Sequence, residues 1–284
     1  MKLSAVGLLA LACAGGATGS EPPKEDVGSA SGWGRDYLIK VDVNTACLSL
    51  GSIISDRGCW YGEVDVIQRL SCFGRIVLGL WTYSDIDGPD SYQRRDLFNE
   101  QDPYVFYGYD FMITEGWHLN QQIGYIYVTL DGYRGASKSC NDETYAEWTY
   151  MGELVTPFLT PTLEVRVVQD LGTFVYPGLR RELVLNQSFS AVPHVNFGGG
   201  SGHWNRNRYG HQLESDWLGA GLQTVNYGIR LEYKLASYLT VYADLCGFNA
   251  LNGSARRQIN ARRDAGASVS ADLLYATVGF AAHF

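Results

Sequence analysis

The chain has 284 residues, with 33 Gly and 19 Tyr, only 8 Pro, 18% charged side chains and a mean hydropathy of -0.12. This length suits one large all-β domain or two smaller ones. A formal net charge of -8, with no basic helix and no aromatic platform for RNA, argues against nucleic acid as a partner.

The amino terminus reads as a secretory signal peptide over residues 1–19. Lys2 supplies the positive start, Leu3 to Ala12 a short apolar core, and Ala17 and Gly19 the small residues before a cut. The apolar core is too short for a membrane helix. A lipoprotein signal using Cys13 is the rival, but Ala10-Leu11-Ala12 fits a lipobox poorly. Cleavage after Gly19 removes one Lys and no acid, which moves the formal charge from -8 to -9. Residues 20–36 are polar, with prolines and small side chains, and are expected to form a disordered periplasmic lead.

From residue 37 the side chains alternate. Ile39, Val41 and Val43 share one parity, Lys40, Asp42 and Asn44 the other, and the first strand is expected to run on toward Ser55. Glu63 and Asp65 alternate with Val64 and Val66 in the second. Ile76, Leu78 and Leu80 mark the third, which ends at Tyr83. After a polar loop at 85–102 come strands at Tyr104–Thr114, His118–Thr129, Glu143–Val155 and Thr160–Asp170. Further strands follow at Gly172–Leu183, Asn186–Phe197, Leu218–Lys234, Tyr238–Gly247 and Asp272–Phe284. The fold class expected is therefore all-β, a single transmembrane antiparallel up-and-down β-barrel of about twelve strands over residues 37–284. Short gaps follow the even-numbered strands. Long polar loops follow strands three, five, nine and eleven, the layout of a barrel with short periplasmic turns and long outer loops. No later run is apolar for the length a membrane helix needs, so a membrane protein with this sequence must close its sheet. Pro177 and Pro193 fall inside strands; a turn about Leu185 would set them opposite each other, confining both missing donors to one rung.

The last segment ends on a bare aromatic. Thr277, Gly279, Ala282 and Phe284 resemble the carboxy-terminal assembly signal of bacterial outer-membrane proteins, which implies recognition by the barrel-assembly machinery. The chain is also similar to small outer-membrane porins of the TorF type. The resemblance lies in Ser55-Asp56-Arg57-Gly58, Val66-Ile67-Gln68, Gly79-Leu80-Trp81, Ser84-Asp85-Ile86-Asp87, Gly124-Tyr125-Ile126-Tyr127 and Thr160-Pro161-Thr162-Leu163 through Gly172-Thr173-Phe174. Cys59 and Trp60 depart from the small or aliphatic residues usual after Arg-Gly. The resemblance implies an outer-membrane location, contact with outer-membrane lipid and small solutes as cargo.

Charges facing lipid cost several kcal/mol each, so those on the strands are expected to line the lumen. They are Lys40, Asp42, Glu63, Asp65, Arg69, Glu147, Glu153, Glu164, Arg166, Arg230, Glu232, Lys234 and Asp244. Acids outnumber bases among them, so an open pore would prefer cations weakly, while a lattice of pairs that merely fills the barrel is an equal competitor. A basic cluster at Arg256, Arg257, Arg262 and Arg263 falls in the loop 248–271; it could fold inward as a constriction or meet lipid phosphates outside, with a solvated loop slightly favoured, while the Gly-rich loop 198–217, whose composition suits ligand or surface contact, is expected to be flexible. Cys59 and Cys140 would both lie toward the outer rim and are the first candidates for a disulfide. Ser190 and His194 share a face, but along one strand they stand roughly 13 Å apart at about 3.3 Å per residue, too far for a nucleophile and its base. With no metal, phosphate-loop or nucleotide motif, no cofactor and no catalysis are expected. The function expected is passive diffusion of small solutes through a narrow polar lumen. The alternative is a non-conducting structural or ligand-binding barrel that acts through its outer loops.

Overall fold

The computed structural model describes residues 34–49, 52–55, 58–86, 100–129, 144–209, 218–264 and 269–284. The signal segment and nearly all of the expected lead lie outside them. Twelve long strands follow one another: β1 (Arg35–Asn44), β2 (Cys59–Arg69), β3 (Arg75–Asp85), β4 (Glu100–Thr114), β5 (Trp117–Thr129), β6 (Thr144–Val155), β7 (Thr160–Val168), β8 (Gly172–Arg180), β9 (Phe189–Gly200), β10 (Gly221–Ala236), β11 (Leu239–Ala250) and β12 (Asp272–His283). Each pairs antiparallel with its chain neighbours. The ring closes because β1 pairs with β12 as well as with β2: Val41 stands opposite Phe280 on one side and Gly62 on the other. The result is an all-β, antiparallel up-and-down barrel.

Alternation decides which side chains meet lipid. Ile39, Val43, Val64, Leu78, Leu80, Val105, Ile123, Val167, Ile229, Leu231, Val278 and Phe280 point outward and are exposed. On a water-soluble protein so continuous an apolar surface would drive association; in a bilayer it is the solvated face. A closed ring also leaves no unpaired strand edge to face hydrocarbon. Strands of 9 to 16 residues match what a tilted crossing requires. These features define a transmembrane barrel of the outer-membrane type. Among the described residues no helix is long and apolar enough to cross a membrane.

One rim carries tight connections. Gly116 takes φ +75° in the two-residue link from β4 to β5. Before β7, Thr156 Oγ1 accepts hydrogen bonds from the amides of Phe158 and Leu159 at 3.2 and 3.1 Å. The chain end sits on this rim, where Phe284 exchanges both backbone hydrogen bonds with Tyr37 at 3.0 Å and stacks on Tyr238. The opposite rim carries the long connections, interrupted by a tight turn from β7 to β8 at Asp170 (φ 59°) and Gly172 (φ 105°).

The structure departs from the sequence reading in four places. First, β1 stops at Asn44, which faces Cys59, the first residue of β2, and Thr277, five residues inside β12. The segment read as its continuation forms a separate hairpin, Cys47–Ser49 with Ser52–Ser55. Second, Cys59 is bonded to Cys47 and not to Cys140. Both cysteines flank the same β1–β2 connection, and the hairpin brings their Cα atoms to 5.9 Å. Cys140 lies outside the described residues. Third, the two loops expected to be mobile or solvated contain helices, α1 (Gly202–Tyr209) and α2 (Gly253–Asp264). Ser201 Oγ accepts from the Trp204 amide at 3.2 Å at the start of α1, and Asn252 Oδ1 from the Ala255 amide at 2.7 Å at the start of α2. Trp204, Ala255 and Ile259 are buried, so docking onto the barrel mouth stabilises helices too short to persist alone. Fourth, the prolines do not face each other. Gly178 pairs with Asn196, and the Arg181 amide donates to the Pro193 carbonyl, which puts Pro177 and Pro193 several rungs apart. The hairpin turns about Gln187, two residues later than Leu185, because Leu183 and Val184 continue the same ladder against Ala191 and Ser190.

Candidate functional site

The site is the barrel interior. Even-numbered residues of β1, β7, β10 and β11 and odd-numbered residues of β2 and β6 point into it. This brings Lys40, Asp42, Glu63, Asp65, Glu147, Glu164, Arg166, Arg230, Glu232 and Asp244 to the inner wall, all buried. Glu153 is half-buried on the same face of β6. Two others of that parity sit at the short-turn mouth: Lys234 is exposed, and Arg69 pairs with Asp36 at 2.6 Å.

The wall is a chain of ion pairs and hydroxyls. Lys40 Nζ stands 3.2 Å from Asp42 Oδ2. The Tyr104 hydroxyl donates to Glu63 Oε1 at 2.8 Å and also touches Asp65, while the Tyr242 hydroxyl donates to Asp42. Both tyrosines reach across an intervening strand, and in both cases that strand carries a glycine. A Cβ on Gly79 would lie 2.2 Å from Tyr104 Cζ and 2.3 Å from Asp65 Oδ1; one on Gly279 would lie 2.3 Å from Asp42 Oδ1 and 2.8 Å from Tyr242 Cζ. The guanidinium of Arg230 lies 4.9 Å from the Tyr242 ring and 3.3 Å, by Nε, from Asp244 Oδ2. A second group centres on Arg166, which donates from Nη1 to Glu147 at 2.8 Å and from Nε to Glu164. Arg180 donates to Glu153 at 2.8 Å. Water is largely excluded from these pairs, so each is held by low-dielectric attraction and each carries a desolvation cost.

Toward the long-loop rim the interior turns apolar. Tyr61, Trp81, Tyr83, Ile126 and Val128 form one cluster with the disulfide, which Val77 and Phe106 extend past Tyr104 toward the short-turn side. Phe248, Ala250, Tyr275 and the inner face of α2 form another. Phe174 and Tyr176 pack with Trp204 of α1. Of the basic cluster, Arg256 binds the Asp272 carboxylate, Arg257 donates to Ser254 Oγ at 3.2 Å and Arg263 stands 3.4 Å from Asp264. Arg262 is the fourth on this helix. A cleft of about 370 Å³ opens beside α2, lined by Leu218, Gln223, Asn252, Ser254 and Arg257.

At the seam, Thr277 Oγ1 donates to Asn44 Oδ1 at 2.5 Å, Gly279 faces Asp42, Ala282 is buried on the outer parity and Phe284 is exposed. Ser190 and His194 share the inner face of β9, and the partners of His194 lie on β11 instead. No motif in the sequence singles out Tyr104, Tyr242 or Arg180. Their parity is the one signal that marks them, since each shares it with buried wall residues on its own strand.

No protein-family model matches the chain, and no curated protein matches it in sequence. Among solved structures it is similar to an outer-membrane channel from Pseudomonas putida F1, at 7% identity and TM-score 0.53 over 92% of this chain and 98% of that one. It is also similar to a KdgM porin, at 8% identity and TM-score 0.46 over 88% and 99%. A third is the outer-membrane phospholipase A of Escherichia coli, at 10% identity and TM-score 0.44 over 87% and 92%. At such identities the likeness concerns the fold, which is that of outer-membrane barrels.

Proposed function

We propose that the protein is a narrow, cation-preferring channel of the bacterial outer membrane, passing small polar solutes passively. One observation carries this reading: among the described residues the buried charged side chains number nine acids against three bases, and most line the inner wall. A conduit with that balance attracts cations and repels anions. The resemblance to TorF-type porins points the same way. Outer-membrane lipid surrounds the apolar belt, and the barrel-assembly machinery is the partner that would read Thr277, Gly279, Ala282 and Phe284. No catalytic step is assigned.

The test is conductance of refolded protein in planar bilayers under a salt gradient. The expected outcome is small steps with a cation-selective reversal potential that moves toward zero in Glu153→Gln and Glu232→Gln. A second reading, a non-conducting barrel that works through its outer rim, is favoured by the near-complete burial of Trp81, Glu147, Arg166, Phe174 and Phe248 at 0–1% exposure. Electrical silence of a correctly folded barrel would establish that reading and remove the first.

A further inference from the structure

Three side chains on two strands converge on one point of the inner wall. His194 stands on β9, and Asp244 and Cys246 stand two apart on β11. The strand between them, β10, places Gly228 opposite both His194 and Cys246. A Cβ there would lie 2.9 Å from Cys246 Sγ and 3.0 Å from His194 Cε1, so the glycine is what lets the two meet. His194 Nε2 lies 3.9 Å from Cys246 Sγ and 3.9 Å from Asp244 Oδ2. The ligand atoms of all three residues fall within 4.8 Å of one another.

We propose that His194, Asp244 and Cys246 form a binding site for a thiophilic divalent cation of the zinc or cadmium kind. Atoms sharing a tetrahedral zinc, with bonds of about 2.0–2.3 Å, stand roughly 3.3–3.6 Å apart, so the three side chains would have to draw together by roughly 0.3–1.5 Å. A nitrogen, a sulfur and one carboxylate oxygen select borderline and soft ions over magnesium or calcium. The carboxylate has an oxygen to give. Asp244 is 3% exposed, and while Oδ2 receives Arg230, Oδ1 has no hydrogen-bond partner among the described residues. The alternative, a nucleophilic thiol with a histidine base, conflicts with the geometry. Such a relay sets thiol and carboxylate on opposite ring nitrogens, whereas here both face Nε2. The His194 side chain keeps 15% exposure, leaving a path from the lumen and a fourth position for water. On binding, Cys246 releases its thiol proton to bulk water and becomes the thiolate ligand, so affinity rises with pH.

The experiment is a Cd²⁺ titration of the refolded full chain carrying Cys13→Ser, Cys72→Ser and Cys140→Ser, which leaves the Cys47–Cys59 bridge and Cys246. The expected result is one equivalent bound with an ultraviolet thiolate-to-cadmium absorption. Adding Cys246→Ser abolishes the absorption, and adding His194→Ala weakens binding by at least about tenfold, the range lost when metal sites are perturbed. Heat-modifiable gel mobility reports whether each variant is folded; if Cys246→Ser is not, the His194→Ala titration decides alone. Absence of the absorption in the folded parent overturns the site, as does an affinity indifferent to His194→Ala, which would describe a thiol acting by itself.

Discussion

Arg166 is the residue on which one side of the wall depends. It is fully buried and holds both Glu147 and Glu164. Replacing it by Met leaves two carboxylates facing each other with no cation between them. Breaking such a buried group costs roughly 3–5 kcal/mol, whereas replacing every member by apolar or neutral partners is close to neutral. The expected outcome is a marked fall in the temperature at which Arg166→Met loses its heat-modifiable gel mobility, with most of the loss restored by adding Glu147→Gln and Glu164→Gln. Gly79 gives a second expectation. Its substitution by Val drives a side chain into Tyr104 and Asp65, an overpacking that costs about 1–3 kcal/mol. Tyr104→Ala in the same chain should recover part of it, measured by urea unfolding in lipid vesicles. At this scale the sequence tells which wall residues are charged, because parity within a strand is legible. It does not tell which touch, because Tyr242 meets Asp42, and His194 meets Cys246, through registers that pass across a third strand.

Among the elements, the strands were legible and their caps were not. Alternation in β4 separates Val105, Tyr107, Phe111 and Ile113 from Tyr104 and Phe106 without any structure, and the coordinates put the first set outside. Helix α2 carries no such pattern, since four arginines in twelve residues read as solvated chain. Its stability comes from tertiary contacts of Ala255, Gln258 and Ile259, which sequence periodicity over so short a span cannot announce. Ile259→Asp is therefore expected to lift α2 from the mouth, and in bilayer recordings to raise the step size if that mouth limits current. The disulfide hairpin is a second cap. Joining residues 12 apart should contribute roughly 2–4 kcal/mol, so Cys47→Ser with Cys59→Ser is expected to lower the unfolding temperature of the barrel measurably.

For the whole molecule, closure is the property on which everything else depends. The seam between β1 and β12 joins residues more than two hundred apart in sequence, and its last rung is the Tyr37–Phe284 pair. Phe284→Asp puts a charge beside Tyr238 at the membrane boundary. The expected outcome is a sharp drop in the heat-modifiable, membrane-integrated fraction, with little change in total protein exported. The same closure orders events in the cell. Cys47 and Cys59 are both at 0% exposure in the closed barrel, so an oxidant reaches them there more slowly than in the unfolded chain. The bond is therefore expected to form while the chain is still an unfolded passenger between the two membranes, and a copy that completes its cylinder with both thiols reduced is expected to oxidise slowly. Adding an oxidant before or after insertion should therefore give two different populations from one sequence.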